Sequence, residues 1–326
     1  MRVLVIQLKR IGDVILTTPL LAALRRHAPG CAISIALDSS TATLGPALDV
    51  DRTLVFRRGL AGLGFWRELA SGSFDVCLDL TGNDRSAIAA ALSRARRRIT
   101  WMRFSRKPLR RAVYTEFVES SVKGRHTADH HTDLLRALGF DAENIPLNLR
   151  LPQVARDEAA AAIALAGIAG PFAVVHAGTA RAEKYWLPER WAEVIEFLRT
   201  ELKLAVVLTG SGDGAERMHV ESIQQSLDVK CPDFGGKISL LATAAVIEQA
   251  RLLCAVDSAP VHLADAVGTP LVALFGPTNP FHWRPRRATS RIVTAWGDWK
   301  ATPDFQKAPM SEISAASVIE SIRSLG

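Results

Sequence analysis

The 326-residue chain is 48% hydrophobic and 22% charged. This balance is ordinary for a globular protein, and the length is sufficient for two domains with separate cores. The longest uncharged stretch, residues 159–175, is excluded as a membrane span because it is rich in alanine and glycine and is interrupted by Gly170-Pro171. The chain begins with a strand pattern rather than a signal peptide, and its four cysteines lack metal or disulfide spacing, so we expect a cytoplasmic protein with reduced thiols.

The net charge of +7 is concentrated between residues 94 and 111, where nine of eighteen residues are Lys or Arg and none is acidic. Trp101, Met102 and Phe104 lie among these cations. Three interpretations are open: a solvated loop, a nucleic-acid contact, or a contact with an anionic amphiphile at the inner leaflet of a membrane. No nucleic-acid-binding motif accompanies the charge, so we expect no nucleic-acid partner. The aromatic residues favour the amphiphile.

The first half of the chain alternates apolar runs with helical patterns, which is typical of parallel sheets built from βαβ units. Strands are predicted at residues 3–8, 32–37, 52–56, 74–80 and 98–101. Helices are predicted at residues 14–24, 65–71, 85–93 and 128–138. Residues 144–152 read as an extended linker that contains two prolines, so the first domain is predicted to span residues 1–152.

A second series of the same kind follows the linker. Its strands are predicted at residues 172–176, 204–208, 252–256 and 271–275, and its helices at 157–166, 188–201, 215–227, 239–251 and 259–267. These elements make a second domain, residues 153–310, and a final helix within residues 311–326 is expected to pack back on the first domain. The predicted fold class is α/β, with two Rossmann-like, doubly wound domains facing a central cleft.

The first candidate site follows the first strand, where Lys9, Arg10, Gly12 and Asp13 lead into a helix. Open parallel sheets bind their ligands at the carboxyl ends of their strands. Gly12 allows a tight turn, and Asp13 is either the cap of the helix or a functional carboxylate at the ligand edge. The local pattern leaves both interpretations open.

Three polar loops of the second half should meet at one edge of its sheet. Loop 176–186 carries Lys184, loop 209–216 is rich in glycine, and residues 256–262 open a helix that Ser258 can cap. Such a helix start offers free N–H groups and a positive dipole end, which suit a phosphate. His262 lies one turn further on, where it is either a site residue or a packed core histidine. Together the loops, the helix start and the lysine predict a diphosphate site.

Four motifs together resemble those of the ADP-heptose:lipopolysaccharide heptosyltransferases of glycosyltransferase family nine. They are Gly12-Asp13-Val14 with Thr17-Thr18-Pro19, Lys184-Tyr185-Trp186, Asp257-Ser258-Ala259-Pro260-Val261-His262, and Phe275-Gly276-Pro277-Thr278. The resemblance covers nearly the whole chain and implies the GT-B fold. Residues 282–285 and 296–297 resemble the heptosyltransferase III branch, which adds a side-branch heptose to the inner core.

The resemblance implies a role for individual residues. Asp13 would be the general base, and Glu216 would accept hydrogen bonds from the ribose hydroxyls. The nucleotide sugar would be bound by Thr179, Lys184, Glu216, Ile238, Asp257, Ser258, Ala259 and His262. The acceptor would be bound by Lys9, Arg10, Gly12, Arg97, Arg98, Arg106 and Lys107. Several relatives have glycine where this chain has Ala259, so Ser258 and Ala259 must supply the backbone contacts.

These assignments predict an inverting transfer of heptose from ADP-L-glycero-D-manno-heptose to the lipid-linked inner core of lipopolysaccharide, at the cytoplasmic face of the inner membrane. Lys184 and the helix start at Ser258 would stabilise the leaving diphosphate, so we expect no metal and no cofactor. The acidic string Asp49-Val50-Asp51 precedes a strand away from the predicted site, which disfavours a metal there. Two alternatives remain: a GT-B transferase with another nucleotide sugar or a protein acceptor, and a non-catalytic sugar-nucleotide-binding protein, which has no need of Asp13.

Overall fold

The computed structural model describes residues 1–296 and 307–325. The chain divides into two compact units, Met1–Arg150 and Leu151–Gly326. Each unit is built on one parallel sheet whose strands alternate in sequence with helices. Gly297, the second residue of the stretch 296–297, lies outside the described residues.

The first unit contains a six-stranded parallel sheet in the order β3-β2-β1-β4-β5-β6. This order is that of a doubly wound sheet, whose ligands bind beyond the carboxyl ends of the strands. The strands are β1 (Arg2–Gln7), β2 (Ala32–Asp38), β3 (Arg52–Phe56), β4 (Val76–Asp79), β5 (Arg97–Trp101) and β6 (Glu116–Val118). The helices are α1 (Ile11–Ile15), α2 (Thr18–His27), α3 (Leu63–Ser71), α4 (Asp84–Leu92), α5 (Pro108–Val113) and α6 (Thr127–Thr132), with 3-10 turns at Ala42–Ala47, Gly59–Gly62, Met102–Arg106, Val122–Gly124 and Asp133–Leu138.

Two helices replace the single helix predicted after β1. The break lies at Leu16 and Thr17, just before Pro19, which lacks the N–H that would bond the carbonyl of Ile15. The Thr18 hydroxyl donates to that carbonyl instead, at 2.8 Å. The Thr17 hydroxyl likewise donates to the backbone oxygen of Asp13, also at 2.8 Å. The motif residues Thr17, Thr18 and Pro19 therefore end the short helix that carries Asp13.

The second unit contains a five-stranded parallel sheet in the order β11-β10-β9-β7-β8. Its strands are β7 (Phe172–His176), β8 (Ala205–Leu208), β9 (Leu252–Val256), β10 (Leu271–Phe275) and β11 (Ser290–Thr294). Its helices are α7 (Gln153–Leu165), α8 (Pro188–Thr200), α9 (Gly214–Gln225), α10 (Leu240–Gln249), α11 (Ala259–Val267), α12 (Pro280–Trp283) and α13 (Ala315–Arg323), with 3-10 turns at Ala182–Lys184 and Met310–Glu312.

The last helix, α13, packs in the core of the second unit, whereas the sequence analysis predicted that it packs on the first domain. Ala315, Val318 and Ile322 are buried in one cluster with Trp186 and Trp191. The indole N–H of Trp186 donates to the backbone oxygen of Ile313 at 3.0 Å. The buried stripe of α13 therefore has its partner within Leu151–Gly326, which corrects the prediction.

The basic segment 94–111 is folded, which corrects its interpretation as a solvated loop. It contains β5, the 3-10 turn Met102–Arg106 and the start of α5, and it includes Trp101, whose side chain is completely buried. The Trp101 indole N–H donates to the backbone oxygen of His130 at 3.1 Å, and its ring stacks on the His130 ring. Trp101 is therefore a core residue and is not available for shallow contact with an amphiphile.

Candidate active and nucleotide-binding sites

Asp13 lies at the carboxyl edge of the first unit's sheet, in the first turn of α1. The residue at the N-cap position is Arg10, not Asp13. The backbone oxygen of Asp13 accepts hydrogen bonds from Gln7 Nε2 and the Thr17 hydroxyl, at 3.4 and 2.8 Å. These bonds hold the backbone of Asp13 in place and leave its carboxyl group out of the helix cap. The interpretation of Asp13 as the N-cap residue is therefore excluded, and the functional interpretation remains.

The Asp13 carboxyl is electrostatically coupled to Lys9. Burial raises the pKa of Asp13, and the charges of Lys9 and Arg10 oppose this shift. Burial also lowers the pKa of Lys9, against the attraction of Asp13 and Asp79. A partly buried carboxylate whose pKa is raised is a better proton acceptor than a carboxylate in water. Lys9, Arg10, Gly12 and Asp13 thus form one short segment at the ligand edge.

Arg97 and Arg98 lie at the opposite edge of the same sheet, because they begin β5 rather than follow it. Arg97 forms two hydrogen bonds of 2.7 Å with the Glu116 carboxylate. Arg98 donates to the backbone oxygens of Val113 and Ala95, at 2.6 Å each. These two arginines hold β5 to β6 and to backbone on either side of β5, which corrects their prediction as acceptor-binding residues.

The remaining two predicted acceptor residues, Arg106 and Lys107, do lie beyond the carboxyl end of β5. Both are exposed. Arg106 ends the 3-10 turn Met102–Arg106 and Lys107 follows it, so both precede α5 on the same sheet edge as Asp13. The basic segment is therefore divided between a structural part at one edge of the sheet and an exposed part at the other.

In the second unit, Lys184 and Asp257 join the loops that follow β7 and β9. Lys184 Nζ lies 2.6 Å from Asp257 Oδ2 and 3.1 Å from the Asp257 backbone oxygen. Both side chains are largely buried, at 12% and 8% exposure. A lysine ammonium has three donor hydrogens, so Lys184 can hold Asp257 and still donate to a further acceptor.

Glu216 connects the glycine-rich loop to the loop after β7. Its carboxylate accepts the backbone N–H of Ser211 at 2.5 Å and is buried. A Cβ atom added to Gly178 would lie 2.5 Å from the Glu216 carboxyl carbon, and one added to Gly210 would lie 3.4 Å from its Oε2. Glycine at these positions therefore makes room for a carboxylate at the edge of the sheet, where it lies close to two loops.

The third loop leads into α11, and Ser258 does not cap this helix with its side chain as the sequence predicted. Ser258 is the N-cap residue, but its hydroxyl donates back to the Val256 oxygen at 3.1 Å instead of capping the helix. His262 is buried, which lowers its pKa to about 4, and its Nδ1 has no hydrogen-bond partner within residues 1–296 and 307–325. His262 is therefore neutral near pH 7 and carries an unused polar atom. Its neighbours in electrostatic terms are Asp257 and Lys184.

Two further predicted residues lie in different surroundings. Thr179 is buried in the loop after β7, and its hydroxyl oxygen accepts the Arg181 backbone N–H at 3.4 Å. Ile238 is half-buried and precedes Ser239, whose side chain caps α10 and donates to Glu158 at 2.7 Å. Thr179 thus lies on the same loop as Lys184, and Ile238 lies just before α10.

Two buried polar residues at these sheet edges were not singled out from the sequence. His176 ends β7, bonds through Nδ1 to the Thr209 hydroxyl at 3.0 Å, and is held neutral because burial lowers its pKa to about 4. Asp79 ends β4, and its Oδ1 accepts the backbone N–H groups of Thr81 and Gly82 at 2.8 and 3.1 Å. The sequence signal that could have identified both residues is a polar residue at the end of an apolar strand.

The acidic string at residues 49–51 is engaged in ion pairs. Asp49 pairs with Arg25 and Arg150, and Asp51 accepts both Arg25 and the backbone N–H of Ile33. Among the residues that the structure describes, no group of three or more His, Cys, Asp or Glu side chains is arranged to hold a metal ion. In the same part of the chain, no helix has both the length and the apolarity that crossing a membrane requires.

Comparison with known proteins identifies the family. Residues 63–313, more than half of the chain, match the model of glycosyltransferase family 9 (heptosyltransferase). Lipopolysaccharide heptosyltransferase 3 of Escherichia coli is 26% identical, with 96% of each chain covered. The crystal structure of a family 9 glycosyltransferase from Veillonella parvula has a TM-score of 0.88 at 27% identity, and covers 99% of this chain and 96% of its own.

The structure of Escherichia coli heptosyltransferase WaaC with ADP has a TM-score of 0.81 at 20% identity, with 100% of both chains covered. The predicted α/β fold of the GT-B class is thereby confirmed. The matches also confirm the sequence resemblance that rested on the four motifs. This chain belongs to glycosyltransferase family 9 and is a glycosyltransferase.

Proposed function

We propose that this enzyme transfers heptose from ADP-L-glycero-D-manno-heptose to the inner core of lipopolysaccharide, with the acceptor specificity of a type III heptosyltransferase. Family membership supports the donor class, and the relative named heptosyltransferase 3 supports the subtype. The observation that carries the catalytic part is Asp13, a partly buried carboxylate with a raised pKa at the ligand edge. A binding protein without catalysis has no use for that group.

The donor would be bound by the second unit. Lys184 would donate to the diphosphate while it retains Asp257, and the first turn of α11 would add backbone N–H groups from Ser258 and Ala259. Glu216, at the edge of the sheet beside Gly178, would accept hydrogen bonds from the ribose hydroxyls. Thr179, Ile238 and His262 would complete this binding site.

The reaction is an in-line displacement with inversion at the anomeric carbon. The acceptor hydroxyl oxygen forms the new bond to that carbon while the bond to the β-phosphate oxygen breaks, and ADP leaves with the electron pair. Asp13 takes the hydroxyl proton as the bond forms, which typically contributes about 10²–10⁴-fold to the rate. Lys184 and the N–H groups of α11 would stabilise the negative charge that develops on ADP, so the reaction proceeds without a metal.

The acceptor would be bound by the first unit, through Lys9, Arg10 and Gly12 beside Asp13 and through Arg106 and Lys107 on the same sheet edge. A lipopolysaccharide core is anionic and anchored in lipid, which suits exposed cations. The enzyme would therefore work in the cytoplasm, at the inner face of the inner membrane. Nucleic acid is not part of this proposal.

The decisive experiment is Asp13→Asn assayed for turnover and for ADP binding separately. Turnover of ADP-heptose with a lipopolysaccharide core acceptor should fall about 100-fold or more, because the proton acceptor is lost. The affinity for ADP, measured by calorimetry, should stay within about twofold, since Asp13 belongs to the acceptor-binding unit. Near-normal turnover would refute the role of Asp13.

The donor is tested with the wild-type protein. A thermal-shift panel of ADP-, UDP-, GDP- and CDP-sugars should show the largest rise in melting temperature with ADP-heptose, because a ligand that binds the native state stabilises it by mass action. A larger rise with another nucleotide sugar would refute the donor assignment and favour a different transferase of the same fold.

A further inference from the structure

Three helices of the first unit begin at the same sheet edge as Asp13. α3, α4 and α5 follow β3, β4 and β5, which all run parallel to β1. α3 packs against α4, and α4 packs against α5, so the helices form a row. The segments that lead from the strands into α3 and α5, residues 57–67 and 102–111, therefore border the edge where Asp13 lies. We call these two segments the α3–α5 rim.

The rim exposes large apolar side chains. Leu60 is 85% exposed, Leu63 56% and Leu109 54%, and Met102 is exposed as well. A single exposed leucine is ordinary on a protein surface, but four large apolar side chains on two short segments of one edge are not expected from composition. Leu60 belongs to the 3-10 turn Gly59–Gly62, and Leu63 and Leu109 lie in the first turns of α3 and α5. The apolar groups are thus at the tips of the elements.

The rim is also strongly basic. Residues 57–67 contain three cations and residues 102–111 contain five, and neither segment contains an acidic residue. The neighbouring acids are engaged, since Glu68 pairs with Arg52 at 2.8 Å and Asp84 pairs with Arg110 at 2.9 Å. The exposed cations of the rim are Arg57, Arg58, Arg67, Arg103, Arg106, Lys107 and Arg111.

Contacts around α4 connect the two segments. The Arg85 guanidinium lies 4.7 Å from the ring centre of Phe56, immediately before the first segment. Arg110 of the second segment lies over Phe104 and pairs with Asp84, the neighbour of Arg85. α4 therefore links the elements that carry the two segments of the rim.

We propose that the α3–α5 rim docks this enzyme on an anionic lipid surface, with Leu60, Leu63 and Leu109 inserted at the level of the headgroups. Exposed apolar tips surrounded by cations are the combination that interfacial membrane binding requires, because burial of apolar area and attraction to anionic headgroups add. A soluble anionic partner would satisfy the charges but would leave the leucines in water. The proposal rests on the proposed function in one respect: a lipid-borne acceptor gives the enzyme a reason to present the Asp13 edge to a membrane.

The test is cosedimentation of the full chain with vesicles that contain no lipopolysaccharide. Wild type should bind vesicles of phosphatidylcholine with phosphatidylglycerol, bind pure phosphatidylcholine vesicles weakly, and be released by salt. The triple variant Leu60→Ser/Leu63→Ser/Leu109→Ser should bind the anionic vesicles at least about tenfold more weakly, because apolar area no longer enters the interface. The matched control is Val154→Ser/Leu165→Ser on α7 of the second unit, where the side chains are 72% and 92% exposed, and it should bind like wild type.

Several results would overturn the proposal. They are triple-variant binding equal to wild type, an equal loss in the α7 control, or wild-type binding to DNA but not to anionic vesicles. The triple variant should also keep wild-type turnover on a deacylated, water-soluble acceptor. If wild type binds the vesicles but turns over no heptose donor, the proposed function fails while the docking surface stands.

Discussion

The contribution of the Lys184–Asp257 ion pair to the stability of the second unit can be tested without any substrate. The two charges are 2.6 Å apart, and their side chains are 12% and 8% exposed. At an effective dielectric constant of about 20 their attraction is about 6 kcal/mol, which offsets a desolvation cost of several kcal/mol for each ion. Lys184→Met removes the attraction and leaves the cost of the buried carboxylate. We therefore expect it to destabilise the protein by about 3–5 kcal/mol.

For a unit the size of Leu151–Gly326, this loss corresponds to a fall of roughly 10 °C in melting temperature, measured by differential scanning fluorimetry. The matched control is Arg181→Met, which breaks the neighbouring pair with Glu183, where the side chains are 47% and 50% exposed. An exposed pair contributes at most about 1 kcal/mol.

The double variant Lys184→Met/Asp257→Asn should be less destabilised than the sum of its single variants by about 1–3 kcal/mol, because the second change removes the orphaned charge. Two results would refute this reasoning. One is a fall for Lys184→Met no larger than that for Arg181→Met, and the other is strict additivity in the double variant.

Three further predictions concern the pKa of Asp13, the space beside Gly178 and the independence of activity from metal ions. Because burial raises the pKa of Asp13, the acidic limb of the kcat/KM profile should lie above the ordinary aspartate pKa of about 4. The ionised carboxylate is then less favourable in the folded state than in the unfolded state, so at neutral pH it destabilises the fold. Asp13→Asn should therefore raise the melting temperature at neutral pH, and should not raise it at a pH below about 4, where the carboxyl is protonated in both states. Gly178→Ala should weaken ADP binding in calorimetry because its Cβ displaces the Glu216 carboxylate, whereas Gly170→Ala, with no atom within 4 Å, should not. Activity should persist in EDTA, and a strict Mg²⁺ requirement would contradict the metal-free mechanism.

The buried strands in the interior of the sheets could be predicted from the sequence, whereas two edge strands, β6 and β11, could not. β7, β9 and β10 are buried at every residue, so a continuous apolar run reveals them. β6 has three residues and begins with Glu116, and β11 begins with the half-buried Ser290. At these edges the neighbouring strand supplies the register, and the local pattern carries little signal. Strands such as β6 and β11 are identified from their pairing with the neighbouring strand and not from their own sequence.

The charge of residues 94–111 shows a different limit of sequence reasoning. In the sequence, the absence of acids within the segment leaves its cations without local partners, which is compatible with a solvated loop or an anionic partner. In the fold, Arg97 pairs with Glu116 and Arg110 with Asp84, which lie 19 and 26 residues away in sequence. A count of charges in a window cannot detect pairs made by parallel strands and neighbouring helices. The exposed cations of the rim, not the whole segment, are the ones available to a partner.

The site at the second sheet edge combines predictable and unpredictable features. That the three loops end at one edge follows from parallel strands alone, but the Lys184–Asp257 bond does not. Since Asp257 neutralises Lys184 and Glu216 lies at the same edge, side chains give the site little net positive charge. In the first turn of α11, Pro260 has no N–H and the Val261 N–H bonds the Ser258 oxygen, so Ser258 and Ala259 supply the remaining donors. Under the proposed function, recognition of a diphosphate here would therefore depend on the direction of a few N–H groups and of one shared ammonium, and not on excess charge.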